Sequence, residues 1–505
     1  MSGQGSARRA NPTAAPVQYA EFVRVVAQFK TTKLLRLLAS VAGEQWQRPS
    51  HQLVDVRDPI LPHAASLVAM EALGSWGRHG QTTPTRDDLR YLSEMVVGLD
   101  DPFASSADEA GRLADGALDD LLLRVGFQQF AYQQPVFNDT ARLRPMLSRP
   151  FPADRFRCIS AEVITQLLGT DLDTYIDLQP LFLAAVMVNR GQFNAAWLDQ
   201  PNFGELTAHF PPADILAVYE AMTRPGQDLR RLIRPNRHPD PRMRQYDFNP
   251  LVASPFVGLP DGTSVAPQPF FVTGRFTPSA LYYAGIRRFG NDFATDLGYV
   301  NEDYVLAQLG QLRTIGQQVD GEIEWKKGRK TVDATVVAAD QVVLVEVKSV
   351  RPILSARADF ASYTAHLARD IKKAVEQLID TYDLWKAGNP HLDHLPAYGS
   401  TTVSALIVVP EPLYLVNHTA FRATLPPAPF SIAIISMTEL EHLVACALHE
   451  HNATVLANAA RPHPGGIIAS DVQGVLLDAQ RRAGGKMPRN PLLDAAFDAM
   501  RIRSS

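Results

Sequence analysis

Two acids and a lysine interrupt an otherwise apolar run in the second half of this chain. The stretch TVDATVVAADQVVLVEVKSVRP, residues 331–352, carries Asp333, Glu346 and Lys348 among Val, Ala and Leu. Charged side chains are almost never fully buried unless they are paired or hold a metal. Side chains alternate across a strand, so Glu346 and Lys348 point to the same face. A hairpin through Ala338–Gln341 folds the Asp333 strand back beside the Glu346 strand. The two carboxylates then lie about one strand spacing apart, ~5 Å. Carboxylates that close repel, and one takes up a proton unless a divalent cation lies between them. Oxygen ligands in an incomplete set suit Mg²⁺ or Mn²⁺. An ammonium beside such a cation orients and acidifies water and stabilises charge on a phosphate. Acid, acid and amine together are equipment for hydrolysing a phosphodiester.

The elements that must position these groups follow from periodicity. TVDATVVA and QVVLVEVKSV read as β-branched strands joined by a short turn, and the second is too apolar for a sheet edge. Two helical stretches precede them, ALYYAGIRRFG and GYVNEDYVLAQLGQL. A long helix over about 358–386 follows and ends near Gly388. The strands SALIVVP (404–410) and SIAIISM (431–437) come next, and then the helix TELEHLVACALHEHN. This order predicts a mixed sheet with helices on both faces.

Asp333, twelve residues, then Glu346-Val347-Lys348 resembles the core signature of the PD-(D/E)XK superfamily, the restriction-endonuclease-like nucleases. The resemblance covers about residues 285–450 and implies an αβββαβ mixed-sheet core that cuts DNA, less often RNA, with Mg²⁺ or Mn²⁺. It implies Asp333 and Glu346 as metal ligands and Lys348 as the catalytic amine. The motif's proline is missing, because Val332 precedes Asp333. GYVNEDYVLAQL resembles the family's glutamate-bearing helix, with Glu302 as the match and a further metal ligand. ARDIKKAVEQLIDTYD resembles the helix after the ExK strand, on which Lys373 and Gln377, one turn apart, would orient the site or the strand. Stand-alone members with a helical domain are frequent in prokaryotic defence against phage or foreign DNA. The rival expectation is a catalytically inactive nuclease-fold protein that binds nucleic acid or acts as a scaffold.

Basic residues surround this signature unevenly. WKKGRK, with Lys326, Lys327, Arg329 and Lys330, precedes the Asp333 strand and would lie at the site's rim, contacting nucleic acid or simply forming a solvated loop. Arg351, just after the ExK strand, reads as a surface charge rather than a phosphate contact. Seven arginines fall between Arg224 and Arg244 against two aspartates, which reads as a linker or a phosphate-contacting arm.

The 505 residues exceed what one core organises. We read a disordered tail (1–16), a helical N-terminal domain (17–222) with Thr85 as a helix cap, the Arg/Pro-rich segment (223–268), the nuclease domain (269–460) and a C-terminal extension (461–505). A net charge of −4 announces no global polyanion partner. Cys158 and Cys446 read as free thiols in a reducing compartment. No apolar run approaches the ~20 residues of a membrane helix, so a cytoplasmic protein is expected, with the helical half available for self-association or a partner. No GxxxxGK, GxGxxG or HExxH motif occurs. The histidines of HEH (449–451) point different ways on a helix, and HLDH (391–394) falls in a Pro-flanked loop. Trp325 and Trp385 read as packing residues rather than base-stacking platforms.

Overall fold

The computed structural model describes residues 15–48, 58–77, 80–105, 116–129, 132, 136–463, 466 and 468–500. Of the expected tail, residues 1–14 lie outside the described residues. The chain forms two compact units, and neither is continuous in sequence. One comprises the described residues up to Thr140 together with Ile164–Leu281; the other joins Ala141–Val163 to Tyr282–Met500. The division therefore differs from the sequence reading. A short segment inside the expected helical domain belongs with the sheet-bearing unit, which starts at 282 rather than 269 and includes most of the expected C-terminal extension.

The first unit is mostly helical, as its periodicity predicts. Helices Tyr19–Val26, Thr31–Trp46, Pro62–Gly74 and Arg86–Val97 bury Phe22, Leu34, Leu35, Leu38, Leu67, Leu89 and Leu92 in one core. Thr85 caps the fourth helix in a capping box. Its side chain accepts from the Asp88 amide at 3.3 Å, and its own amide donates to Asp88 Oδ2 at 2.7 Å. The Arg/Pro-rich segment is not a linker. It supplies a helix, Gly226–Ile233, and the strands Thr223–Pro225, Phe256–Gly258 and Ser264–Val265, which form a small sheet with Gln192–Phe193. Leu229, Ile233, Leu251 and Val257 join the same core as the helices.

The second unit is mixed α/β. Its elements are α1 (Asn291–Gly310), β1 (Gln318–Gly321), β2 (Ala334–Ala338), β3 (Gln341–Val347), α2 (Phe360–Lys386), β4 (Thr402–Val409), β5 (Ser431–Ser436) and α3 (Met437–Glu450). The five strands form one sheet in the order β5-β4-β3-β2-β1. β5 and β4 run parallel, as do β4 and β3, whereas β3/β2 and β2/β1 are antiparallel. β3 is thus the central strand, which is why its run is apolar: Val342, Val343, Leu344 and Val345 are fully buried. Sequence reading missed β1, whose four residues include only one buried apolar side chain, Val319. The expected hairpin forms through Ala338 and Gln341, and Ala339 takes a left-handed φ of 53° in its turn. α2 starts where Asp359 accepts from the Ser362 amide at 2.7 Å, and α3 starts in a Ser436/Glu439 capping box. Among the described residues the extension holds the helices Val472–Arg482 and Pro491–Asp498. Leu493 and Ala496 of the latter pack on Ala141.

Candidate active site

The register decides the site. Ala334 pairs with Val345, so one further step sets Asp333 directly opposite Glu346, on the same face of the sheet. Asp333 sits just ahead of β2 and is held there from three sides. Its own Oδ2 accepts from the Val347 amide at 2.7 Å. The preceding Val332 amide donates to Thr381 Oγ1 of α2 at 3.0 Å. Thr331 bonds Ile323 in both directions at 2.9 Å, its amide donating to the Ile323 carbonyl and its hydroxyl accepting from the Ile323 amide. A proline at 332 would have no N–H to give; Val332 has one, and a hydroxyl on α2 accepts it.

Glu346 is 1% exposed. Its Oε1 accepts from Lys348 Nζ at 2.6 Å, and its Oε2 is buried with no hydrogen-bond partner. Lys348 Nζ also donates to Gln377 Oε1 on α2 at 2.7 Å. Burial, then the nearby Asp333 charge, pushes Glu346 up to about 8 against the pull of Lys348. Burial likewise raises Asp333 to about 6, although the Val347 amide and Lys348 oppose it. Glu302 on α1 rises to about 7, through burial and then the charges of Asp333 and Glu322. Four carboxylates, Glu302, Glu322, Asp333 and Glu346, thus share one electrostatic neighbourhood. They hold more negative charge than the adjacent cations balance.

Asp333, Glu346, Lys348 and Gln377 come together as the spacing predicts. Glu302 is joined to them by charge, and Arg155 stands 3.9 Å from its carboxylate. Of the basic stretch, Lys330 reaches the site's edge: it pairs with Glu322 at 2.7 Å, and its charge acts on Asp333. Lys326, Lys327 and Arg329 are exposed on a two-stranded hairpin of Glu324–Lys326 and Arg329–Lys330, where Arg329 lies over the Trp325 ring. Lys373 is exposed on α2. Arg351 corrects the expectation of a surface charge. It is buried, pairs with Glu411 at 2.8 Å and stacks on Tyr282 at 3.9 Å.

Sequence reasoning missed Glu322 and Arg155. Glu322 sits in a short polar stretch with no periodic signal. Arg155 bonds Asp303 Oδ2 at 2.8 Å across 148 positions and belongs to the inserted segment, which nothing local ties to α1. The same segment donates the Arg157, Cys158 and Ile159 amides to buried Asp296. The rejected clusters stay apart: Glu450 pairs with Arg482, His451 closes α3 with a φ of 50°, and His394 faces Asp320 at 3.8 Å. Both cysteines are free thiols, with burial pushing Cys158 up to about 12 and Cys446 up to about 11. Trp385 is buried and donates to the Pro396 carbonyl at 2.9 Å.

Among the described residues, no three His, Cys, Asp or Glu side chains converge as a ready ligand set, and no helix is long and apolar enough to cross a membrane. No family model, curated protein or solved structure matches the chain.

Proposed function

We propose that the second unit is a divalent-cation-dependent phosphodiesterase of PD-(D/E)XK type acting on nucleic acid, DNA before RNA. The observation that carries this reading is the Asp333/Glu346 pair on adjacent strand segments, Asp333 half-buried and Glu346 fully buried, with Lys348 and Gln377 closing its other side. The element order α1-β1-β2-β3-α2-β4 supports it, being the order the resemblance implies. So does the bare Glu346 Oε2: a buried carboxylate oxygen without a donor fits a hard cation better than any residue around it. When bound, a divalent cation such as Mg²⁺ or Mn²⁺ supplies Lewis-acid stabilisation and a more acidic water. Asp333 and Glu346 would hold it. The Val347 amide fixes Asp333, and Gln377 fixes the Lys348 ammonium where a phosphate oxygen would gain charge. Lys330 and the exposed hairpin cations offer contacts to a polyanion at the rim.

The test is cleavage of single- and double-stranded DNA and RNA by the full chain in Mg²⁺ or Mn²⁺. Glu346→Ala and Lys348→Ala should each lower the rate by at least about 10²-fold. Gln377→Ala should lower it less, since Gln377 acts through Lys348.

One observation favours a second reading, that of an inactive nuclease-fold protein that binds nucleic acid or serves as a scaffold. Lys348 already occupies Glu346 Oε1 and Gln377 Oε1, and among the described residues no three acids converge as a ligand set. Binding of nucleic acid without cleavage under every divalent cation would select it.

A further inference from the structure

The first unit carries a cavity that the nuclease reading does not use. Its volume is about 190 Å³, and it lies where the Arg/Pro-rich segment meets the C-terminal end of the helix Pro62–Gly74. Three arginines line it: Arg234, Arg237 and Arg244. Arg237 is committed. Its guanidinium pairs with Glu71 at 2.6 Å, donates to the Tyr19 hydroxyl at 3.1 Å and stands 3.7 Å from Asp247. Glu71 in turn accepts the Tyr19 hydroxyl at 2.6 Å, so the one acid lining the cavity is fully engaged. The other two arginines are not neutralised. Arg244 donates Nε to the His238 carbonyl at 3.0 Å, and among the described residues neither Arg234 nor Arg244 pairs with a carboxylate. Val23 and Ile233 give the cavity an apolar side.

A planar guanidinium offers paired donors that match phosphate oxygens, and two such forks around one cavity suit a doubly charged phosphate. The cavity exceeds the ~150 Å³ that accepts a benzene ring, so it has room for more than a bare anion. We propose that it binds a terminal phosphate group, with Arg234 and Arg244 on the phosphate and the carbon skeleton against Val23 and Ile233. A free nucleotide and the 5′ end of a nucleic-acid strand both present that chemistry. The proposal stands independently of any catalysis in the second unit.

The experiment is calorimetric titration of the full chain, without divalent cation, using AMP, pyrophosphate, a 5′-phosphorylated oligonucleotide and its 5′-hydroxyl twin. AMP or the 5′-phosphorylated strand should bind, and Arg234→Ala/Arg244→Ala should weaken binding at least about tenfold. Exposed Arg234→Glu alone should weaken it too, which keeps the test alive should the double variant fold poorly. Preference for the phosphorylated strand over its twin identifies a strand end as the source; binding of AMP alone identifies a nucleotide. Absence of binding, equal binding of both oligonucleotides with no binding of AMP, or AMP binding that survives the arginine variants would each overturn the proposal.

Discussion

Glu346 has one oxygen bonded and one bare, and its folded-state pKa of about 8 follows from that burial. A carboxylate raised above its unfolded value of ~4.3 keeps its proton in the fold while the unfolded chain loses it. The stability this contributes is complete below pH ~4.3 and is lost as pH rises through the folded value, near 6 for Asp333, 7 for Glu302 and 8 for Glu346. The cation-free protein should therefore melt at a lower temperature at pH 9 than at pH 5.5, by the equivalent of a few kcal/mol. The drop should be smaller in Glu346→Gln. Mn²⁺ should raise the melting temperature more at pH 9 than at pH 5.5, because at pH 9 it need displace no proton. A fluorescence melt at the two pH values checks all three outcomes without any assay of cleavage. This group was legible in sequence because strand alternation is local: positions 346 and 348 share a face wherever the strand goes. Arg155 was not legible, since its neighbourhood with Glu302 comes from tertiary packing alone.

At the scale of elements, the site depends on how α2 grips the strand segment ahead of β2. Thr381 is 1% exposed and is the acceptor for the Val332 amide. Thr381→Val keeps the shape and removes that acceptor, leaving a buried N–H bare. The expected cost is ~1–3 kcal/mol in chemical denaturation, with a loss of cleavage rate because Asp333 is the next residue. Thr364→Val, on the same helix, is the comparison and should cost less, because among the described residues the Thr364 hydroxyl has no hydrogen-bond partner to lose. Strands β2 to β5 could be read from their β-branched runs. β1 could not, with only Val319 buried. The segment 223–268 misled for a related reason. Its prolines and seven arginines mask Leu229 and Ile233, four apart on one helical face and buried in the first unit's core. Three of those arginines take local partners, Arg231 with Asp228, Arg242 with Asp240 and Arg244 with the His238 carbonyl, whereas Arg237 reaches Glu71 and Arg230 the Trp76 carbonyl.

For the molecule as a whole, the decisive feature is the insertion of residues 141–163 into the second unit. Arg142 makes its buried anchor. It pairs with Glu441 of α3 at 2.5 and 2.8 Å and donates to Thr438 at 2.9 Å, and Glu441 also accepts the Tyr304 hydroxyl of α1 at 2.5 Å. Arg142→Ala strands a buried carboxylate and should cost ~3–5 kcal/mol, seen as a lower denaturation midpoint of the full chain. A fragment of residues 282–500 lacks this partner and the amides that hold Asp296, and should show no cooperative melt by circular dichroism. The ordering of the two units along the chain could not be read from composition, because no linker marks the crossings at 140/141, 163/164 and 281/282. It also sets a clock on biogenesis. Arg142 leaves the ribosome 299 residues before Glu441. At roughly 5–20 residues per second, the segment waits on the order of 15–60 s for the helix that will neutralise it. Asp296 and Asp303 of α1, which hold the rest of the segment, emerge about halfway through that interval, so the segment docks in two stages, its backbone on α1 first and the Arg142 guanidinium on α3 last.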